Sequence, residues 1–215
     1  MLINEIFSSI QGEGIYAGYR QIFIRFAGCN LSCDYCDEQH QEQRKYEIDA
    51  LAKEVKQFTK SWHHSISLTG GEPLLQVDRI KQLIPLLPLP IYLETNGTLP
   101  QHFKEIADLV DIVSLDYKEG YENEFIDFLH IAKDKDVFVK YVVRKETNVK
   151  KLSDITSLIS EISRDIPFIL QPVTPYGKIK QGPRLEDLLR FYQTAKNHLS
   201  DVRVIPQTHK LMRIK

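Results

Sequence analysis

Little in this sequence would place the chain in a membrane, on nucleic acid or outside the cell. No apolar run approaches the roughly 20 residues that a membrane-spanning helix needs. A formal net charge of −1 gives no general attraction to nucleic acid or to an anionic lipid surface. The first residues lack the basic start and the long apolar region of a signal peptide. We therefore expect a cytoplasmic protein that contacts neither nucleic acid nor a membrane directly.

Internal repeats, low-complexity stretches and linker-like segments are also lacking. Hydrophobic residues make up 42% of the chain and charged residues 27%, which are the values of a globular protein. At 215 residues the chain is long enough to bury a substantial core. We expect one domain spanning residues 1–215.

Apolar segments alternate with helical patterns along the chain. Several segments are continuously apolar, as parallel strands are when helices cover the sheet. Ile48, Leu51 and Val55 recur at helical spacing, which puts them on one helix face. The predicted strands are Gln21–Ala27, Ser65–Thr69, Ile91–Glu94, Ile112–Leu115, Val137–Val143, Phe168–Gln171 and Val202–Ile205. The predicted helices are Ile48–Phe58, Leu74–Leu87, Phe125–Lys133, Leu152–Ile162 and Leu185–Leu199.

Strand–helix alternation of this kind builds right-handed βαβ units. With about six such units, we expect an α/β fold with mostly parallel strands, either a partial (β/α) barrel or an open sheet. In both architectures the chemistry belongs at the carboxyl ends of the strands.

Cysteine is scarce and confined to one short segment. The chain has three cysteines, Cys29, Cys33 and Cys36, directly after the first predicted strand. An odd number packed this closely is a poor disulfide framework and a good metal site. Three thiolates can ligate three irons of a [4Fe–4S] cluster and leave the fourth iron open, where the amino and carboxylate groups of S-adenosylmethionine (SAM) could bind. A zinc site is the alternative, because His40 follows Cys36 closely enough for a Cys3His set.

Polar residues follow most of the predicted strands. Thr69-Gly70-Gly71-Glu72-Pro73 ends one strand and opens a helix; two glycines let a ligand approach the backbone, and a carboxylate can receive an ammonium group. Taken alone, this motif could also be an ordinary strand-to-helix turn with proline at the first helical position. Polar groups at successive strand ends predict a shared cavity. The others are Glu94–Gly97, Ser114–Lys118, Gln171-Pro172 and Gln207–Lys210.

These motifs together resemble the radical SAM superfamily, and more closely the 7-carboxy-7-deazaguanine synthase family. The cysteine spacing and the Thr-Gly-Gly-Glu-Pro motif carry the superfamily resemblance. The family resemblance depends on segments spread over the whole chain. They are Ile10-Gln11-Gly12-Glu13-Gly14, Phe23–Cys29, Glu94–Gly97, Gln171-Pro172 and Gln207–Lys210.

The resemblance implies a partial (β/α)6-type radical SAM barrel and a carbon–nitrogen lyase reaction. The substrate would be 6-carboxy-5,6,7,8-tetrahydropterin and the product 7-carboxy-7-deazaguanine, with loss of ammonia, on the route to nucleosides such as queuosine or archaeosine. A 5′-deoxyadenosyl radical would abstract hydrogen from C6, the ring would contract and hydrogen would return, so that SAM acts as a true cofactor. The resemblance also implies Mg²⁺, a homodimer, and an electron donor such as flavodoxin or ferredoxin.

The resemblance also assigns roles to individual residues, with no side chain as the catalytic group because the radical comes from SAM. Arg25 would take the substrate carboxylate, and Glu13 would accept from the pyrimidine edge. Taken singly, Arg25 and His209 could be surface residues. The cluster ligands would be Cys29, Cys33 and Cys36. The SAM-binding residues would be Gly71, Glu72, Asn96, Ser114, Lys118 and Gln171. The substrate-binding residues would be Gln11, Gly12, Glu13, Gly14, Arg25, Thr69, Gly70, His209 and Lys215.

One position departs from the family pattern. The family usually has threonine after Cys-Asp, and its hydroxyl is the protein ligand to Mg²⁺; here Glu38 stands in that place. A carboxylate is also an acceptable hard ligand, so we expect Glu38 to bind Mg²⁺. Alternatively, Glu38 faces solvent, or the pocket accepts a different pterin or purine-like substrate.

Two further functions remain open from the residues alone. A radical SAM activase acting on a partner protein would share the cysteines and the Gly-Gly-Glu-Pro motif, but would lack the pterin-lining residues of the two termini. A zinc-bound nucleic-acid adaptor would need a basic patch with interleaved aromatic residues, which the charge balance argues against.

Overall fold

The computed structural model describes residues 1–36 and 43–214. Within these residues the chain forms one sheet. Its strands are β1 (Leu2–Ile10), β2 (Arg20–Phe26), β3 (Arg44–Lys45), β4 (Ser65–Gly70), β5 (Ile91–Thr95), β6 (Ile112–Asp116), β7 (Asp136–Val143), β8 (Phe168–Pro172) and β9 (Val202–Val204). Their order across the sheet is β3-β1-β2-β4-β5-β6-β7-β8-β9.

Helices connect the parallel strands one after another. β2 and β4 to β9 run in the same direction, whereas β1 is antiparallel to β2, and β3 to β1. The helices are α1 (Ile48–Phe58), α2 (Val77–Leu83), α3 (Pro100–Ile106), α4 (Glu122–Ala132), α5 (Val149–Ile162), α6 (Leu185–Lys196) and α7 (Thr208–Met212). Helices α1 to α6 each cross between two neighbouring parallel strands. Among the described residues, none of the helices combines the length and the apolar character that a bilayer crossing requires.

The sheet is not closed, since β3 and β9 form its two edges in the described part of the chain. The six crossover helices and seven parallel strands confirm the predicted α/β fold with mostly parallel strands. The architecture is therefore an open, partial barrel, with the carboxyl ends of the strands along one rim.

The two faces of the sheet differ because side chains alternate along each strand. Ile24 and Leu68 face the helices and are fully buried in the main core. Full burial of one such side chain stabilises the fold by roughly 1.5–3 kcal/mol. Thr69, Glu94 and Lys140 occupy the alternate positions of their strands, so they point to the opposite, concave face, where they line a cavity. The helix side thus supplies the core, and the concave side is left for polar groups.

The segment between β1 and β2, residues 11–19, fills the concave face toward the amino ends of the strands; we call it the hairpin segment. Ile15 and Tyr16 pack against a small apolar cluster that contains Tyr92 and Phe138. Gly14 has φ +64°, and a Cβ there would lie 2.3 Å from the Phe138 ring, so this position requires glycine. The hairpin segment therefore plugs the barrel below the cavity.

The seven predicted strands are all present, each with ends within one residue of the prediction. The sequence analysis missed β1, the two-residue strand β3, and helices α3 and α7. Strand β1 carries polar residues such as Glu5 and Ser8 and is only half-buried over most of its length, so it lacks a continuous apolar signal. Helices α3 and α7 are too short to show a clear helical period.

The predicted helix Leu74–Leu87 was too long. Helix α2 covers only Val77–Leu83, between 3-10 turns at Pro73–Gln76 and Ile84–Leu86. Pro85 has no backbone N–H to donate and its ring clashes with the preceding turn, so the α-helix ends before it.

Candidate active site

An open cavity with an empty volume of about 930 Å³ lies at the carboxyl ends of the strands. The cysteine loop forms one side of it, and the ends of strands β4 to β8 form the other. This is the place where α/β folds of this kind bind their ligands. Its lining is Glu13, Cys29, Leu31, Cys33, Tyr35, Cys36, Thr69, Gly70, Gly71, Glu94, Thr95, Asn96, Asp116, Lys118, Lys140, Val142, Gln171, Val173 and Gln207.

Backbone contacts with the end of β4 hold the start of the cysteine loop. Gly71 N–H donates to the Phe26 carbonyl at 3.0 Å, and Glu72 N–H donates to the Gly28 carbonyl at 2.8 Å. A Cβ on Gly71 would lie 1.8 Å from the Gly28 oxygen, so only glycine permits this approach. The Gly-Gly-Glu-Pro motif thus fixes the cysteine loop against the cavity.

Amide groups surround the first cysteine. Leu31 N–H donates to Cys29 Sγ at 3.4 Å, and Asn96 Nδ2 donates to the same sulfur at 3.9 Å. Asn96 also donates to Asn30 Oδ1 at 2.9 Å, which ties the end of β5 to the cysteine loop. Hydrogen bonds to the sulfur ligands are among the features that set the reduction potential of an iron–sulfur cluster.

The arrangement of the cysteines fits a cluster. Cys29, Cys33 and Cys36 form no disulfide and line one cavity. Among residues 1–36 and 43–214, no three His, Cys, Asp or Glu side chains converge closely enough to hold a single metal ion. In a [4Fe–4S] cluster each thiolate binds a different iron, so the sulfurs need not converge. Three cysteines on one loop beside this cavity fit the donor set of such a cluster.

Most of the predicted SAM-binding residues lie on the wall of this cavity. Gly71, Asn96, Lys118 and Gln171 line it directly. Gln171 is 4% exposed, and its Oε1 atom has no hydrogen-bond partner in the described structure, so it is an acceptor available to a ligand. Ser114 is buried and lies outside the lining residues.

Glu72, the other residue predicted to bind SAM, is fully buried beneath the cavity wall. Its carboxylate accepts from Leu74 N–H at 3.0 Å, Thr95 Oγ1 at 3.0 Å and Asn96 N–H at 2.8 Å. Burial raises the pKa of Glu72 to about 7, against the effect of these donors. In this conformation the carboxylate joins the ends of β4 and β5, and its role toward SAM stays a prediction.

A smaller cavity of about 460 Å³ adjoins the larger one and shares Glu13, Thr69 and Glu94 with it. Most of the predicted substrate-binding residues meet here, although they come from both ends of the chain. The cavity is lined by Phe7, Ile10, Gln11, Gly12, Glu13, Phe23, Arg25, Thr69, Glu94 and His209. Of the remaining predicted residues, Gly70 lines the larger cavity and Gly14 packs against Phe138 below both.

Glu94 is the hydrogen-bonding centre of the wall between the two cavities. Its carboxylate accepts from Gln11 Nε2 at 2.8 Å, Ser67 Oγ at 3.3 Å and Thr69 Oγ1 at 2.9 Å. Gln11 also donates to Gln21 Oε1 at 3.0 Å. This network holds the hairpin segment against β2, β4 and β5.

Glu13 is held from two sides. Lys140 Nζ lies 2.6 Å from its Oε2 atom, and Gln207 Nε2 donates to its Oε1 atom at 2.8 Å. Burial acts to raise the pKa of Glu13, but the Lys140 cation and the hydrogen bonds outweigh it and lower the pKa to about 2. Glu13 is therefore an ionised acceptor at neutral pH.

Charged groups continue from Glu13 to the cysteine loop. Lys140 Nζ lies 3.2 Å from Asp116 Oδ1, and Asp116 Oδ2 lies 3.4 Å from Lys118 Nζ. Lys118 in turn donates to the Tyr35 hydroxyl at 3.3 Å. Burial opposes the charge on Lys118, but the neighbouring Asp116 carboxylate raises its pKa above the usual range.

The C-terminal segment completes the smaller cavity. Thr208 N–H donates to the Gly12 carbonyl at 2.8 Å. A Cβ on Gly12 would lie 2.2 Å from His209 Nδ1, so His209 packs directly on the glycine. On the opposite wall, Arg25 stands over the Phe7 ring at 5.3 Å and pairs with Glu5 at 3.0 Å. Arg25 is thus mostly buried at the site rather than a surface residue.

Three residues of the sequence analysis lie outside the described part of the chain. They are Glu38, the predicted Mg²⁺ ligand, His40, the fourth ligand of the alternative zinc site, and Lys215 at the C-terminus. Their roles stay predictions.

The sequence analysis missed three polar residues of the site, Glu94, Lys140 and Gln207. Glu94 and Gln207 belong to motifs that were recognised, but no role followed from sequence position alone. Lys140 carried a clearer signal, because a lysine interrupts an otherwise apolar buried strand, Val137–Val143. A buried lysine usually requires a partner.

Comparisons with known proteins agree with this geometry. The family model described as "Radical SAM superfamily" matches residues 23–159. A 7-carboxy-7-deazaguanine synthase of Geobacter sulfurreducens is 39% identical, over 98% of this chain and 96% of that protein. Another, of Methanothermobacter thermautotrophicus, is 35% identical with the same two coverages. A third, of Clostridium acetobutylicum, is 34% identical over 98% of this chain and 95% of that protein.

Solved structures show the same fold. The crystal structure of QueE from Escherichia coli superposes with a TM-score of 0.62 at 19% identity, over 96% of this chain and 93% of that one. Streptococcus suis SuiB gives a TM-score of 0.61 at 15% identity, over 83% of this chain and 46% of that one. At these identities the likeness concerns the fold alone.

Superfamily membership implies a [4Fe–4S] cluster and SAM as cofactors, which agrees with the cysteine loop and the cavity beside it. The similarity to the synthases extends over nearly the whole chain. It therefore includes both ends of the chain, which build the smaller cavity. The chain belongs to the radical SAM superfamily and, within it, to the 7-carboxy-7-deazaguanine synthase family.

Proposed function

We propose that this protein converts 6-carboxy-5,6,7,8-tetrahydropterin into 7-carboxy-7-deazaguanine, with loss of ammonia, as a carbon–nitrogen lyase. One observation carries the proposal: a cavity containing the three cysteines adjoins a smaller cavity built from Gln11, Glu13, Arg25 and His209. A cofactor in the first cavity and a pterin in the second would meet at the shared wall. The names of the relatives support the same reaction.

The cofactors would occupy the larger cavity. Cys29, Cys33 and Cys36 would hold the [4Fe–4S] cluster, with SAM against Gly71 and Gln171. The bound cluster would supply the electron for the reductive cleavage of SAM. Gln171 Oε1, which has no hydrogen-bond partner in the described structure, can accept from a SAM donor group.

The protein's part in the reaction is to orient the substrate. Glu13 is ionised and can accept hydrogen bonds from the donors of a pyrimidine edge. Arg25 can take the substrate carboxylate in exchange for its contact with Glu5. Thr69 and Glu94, which both cavities share, lie where the substrate and the cofactor would approach each other.

A magnesium ion held by Glu38 is also part of the proposal. The larger cavity already contains carboxylates at Glu13, Glu94 and Asp116, so an anionic ligand would gain from a divalent cation beside it. A homodimer, a flavodoxin or ferredoxin as the electron donor, and a cytoplasmic location remain predictions from the family resemblance.

An anaerobic assay with SAM, dithionite, Mg²⁺ and the carboxypterin tests this function. We expect 7-carboxy-7-deazaguanine by mass spectrometry, with more than one product molecule formed per SAM consumed. Cleavage of SAM without conversion of the carboxypterin would contradict the substrate and leave an activase or a related enzyme as the explanation. A colourless protein that contains zinc would contradict the cofactor.

A further inference from the structure

Lys140 interrupts the apolar run Val137–Val143 of β7. Its side chain is 4% exposed, and its ammonium contacts two carboxylates, Glu13 Oε2 at 2.6 Å and Asp116 Oδ1 at 3.2 Å. A buried charge is costly unless it is paired. The two contacts make a buried cation tolerable at the centre of the barrel. They do not explain why this position carries a lysine and not an apolar residue.

The contact with Glu13 leaves that carboxylate able to bind substrate. Each carboxylate oxygen can accept about two hydrogen bonds. Lys140 takes one position on Oε2, and Gln207 takes one on Oε1. One acceptor position is left on each oxygen, which is the arrangement that a planar edge with two parallel N–H donors requires.

The contact with Asp116 leads to the other cavity. Asp116 pairs with Lys118, and Lys118 reaches Tyr35 in the cysteine loop. Asp116, Lys118 and Tyr35 line the larger cavity but not the smaller one. A single ammonium therefore joins Glu13, which both cavities share, to the charged groups of the larger cavity.

We propose that Lys140 is a positioning residue that couples substrate binding to SAM binding, by holding Glu13 and Asp116 with one cation. A ligand that attracts Asp116 or Lys118 alters how firmly Lys140 holds Glu13, and the reverse follows by linkage. In this arrangement Lys140 acts through the two carboxylates that its ammonium contacts. The inference rests on the proposed function, because it assumes a pterin at Glu13 and SAM beside Asp116.

The experiment measures binding, not turnover. Calorimetry on the cluster-loaded, oxidised protein gives the Kd of the carboxypterin without SAM and with saturating SAM. We expect SAM to tighten carboxypterin binding by roughly 5-fold or more in the native protein, a usual size for coupling between two sites. Lys140→Met should bring this ratio close to 1, and Lys140→Arg should restore much of it. Lys133→Met, at an exposed lysine directly after α4, is the matched control and should keep the native ratio.

A pH series separates positioning from a general loss of structure. Lys140, His209 and Tyr92 are the charged or titratable groups that interact with Glu13, and Asp116 and Glu94 in turn interact with Lys140. With Lys140 present, Glu13 stays ionised, and its contribution to carboxypterin binding should be constant between pH 5 and 8. In Lys140→Met only the Gln207 hydrogen bond and His209 still oppose the effect of burial, so the pKa of Glu13 should rise and binding should weaken toward the acidic end of this range.

A second variant covers the case in which Lys140→Met does not fold. Asp116→Asn leaves the Lys140–Glu13 contact in place and removes the negative charge that Lys140 and Lys118 share. It should lower the coupling ratio while the carboxypterin still binds in the absence of SAM.

The possible failures can be told apart. If the native protein does not bind the carboxypterin at all, both the proposed function and this inference are wrong. If it binds the carboxypterin but SAM leaves the Kd unchanged, or if Lys140→Met and Asp116→Asn keep the native ratio, only the inference is wrong.

Discussion

Gln207 donates a hydrogen bond from Nε2 to Oε1 of Glu13 over 2.8 Å, although the two residues are 194 positions apart in the sequence. The contact joins the C-terminal segment after β9 to the hairpin segment after β1. These segments approach from opposite sides of the open sheet and together form one end of the smaller cavity. The substrate cavity therefore depends on both ends of the chain, and His209 and Arg25 stand on its walls.

The first prediction concerns these two walls. Arg25→Ala and His209→Ala should bind SAM as the native protein does, but lose carboxypterin turnover. Removing one partner of a charged hydrogen bond in a desolvated site costs roughly 2–5 kcal/mol. Turnover and the Kd of SAM are measured on the same anaerobic samples. Arg20→Ala, at an exposed arginine on the same strand, is the control and should retain activity. Unchanged catalysis in both site variants would place the substrate elsewhere.

The second prediction concerns the cluster. Changing any one of Cys29, Cys33 or Cys36 to alanine should abolish 5′-deoxyadenosine production and lower the iron content, because no other cysteine exists to replace the lost ligand. Iron analysis and the broad visible absorption of the anaerobic protein are the measurements. His40→Ala should keep its iron. Loss of a zinc ion from that variant would refute the cluster assignment.

The third prediction concerns Glu38. A glutamate neutralises half of the charge on Mg²⁺ and can hold the ion before the substrate arrives, whereas a neutral threonine leaves that charge to attract the substrate carboxylate. Glu38→Thr should therefore need a higher Mg²⁺ concentration for half-maximal turnover than the native protein. Titration of Mg²⁺ against turnover in both proteins gives the answer. If neither protein responds to Mg²⁺ or to EDTA, Glu38 is not a ligand.

The fourth prediction concerns pH and Glu72. Its pKa in the folded protein is raised to about 7 from 4.5, so its contribution to stability is fully present below about pH 4.5 and is lost as the pH rises through 7. Relative to Glu72→Gln, which cannot titrate, the native protein should lose on the order of 1–3 kcal/mol of unfolding free energy between pH 5 and 8. Urea unfolding across this range measures the difference. A difference that does not change with pH would mean that Glu72 stays ionised throughout.

Much of the architecture could be predicted from the sequence, because the signals for it are local. The buried parallel strands are continuous apolar runs, and their ends were placed within one residue. Strand β1 escaped detection because polar residues interrupt it, so that it shows no continuous apolar run. Helix α2 was predicted too long, because the apolar period continues past Pro85, where the backbone cannot form the next helical hydrogen bond.

By itself the sequence determined the family, the cysteine loop and the chemistry beside it. The reason is that the three cysteines and the Gly-Gly turn are motifs of residues that lie close together in the sequence. Only the tertiary structure decided which distant groups meet. Glu13 finds Lys140 on β7 and Gln207 near the C-terminus, and these contacts set its charge state. Glu72, in contrast, turns into the protein to accept backbone hydrogen bonds. The physical reason is that burial and charge depend on the surroundings of a side chain in three dimensions, and a motif specifies only its neighbours along the chain.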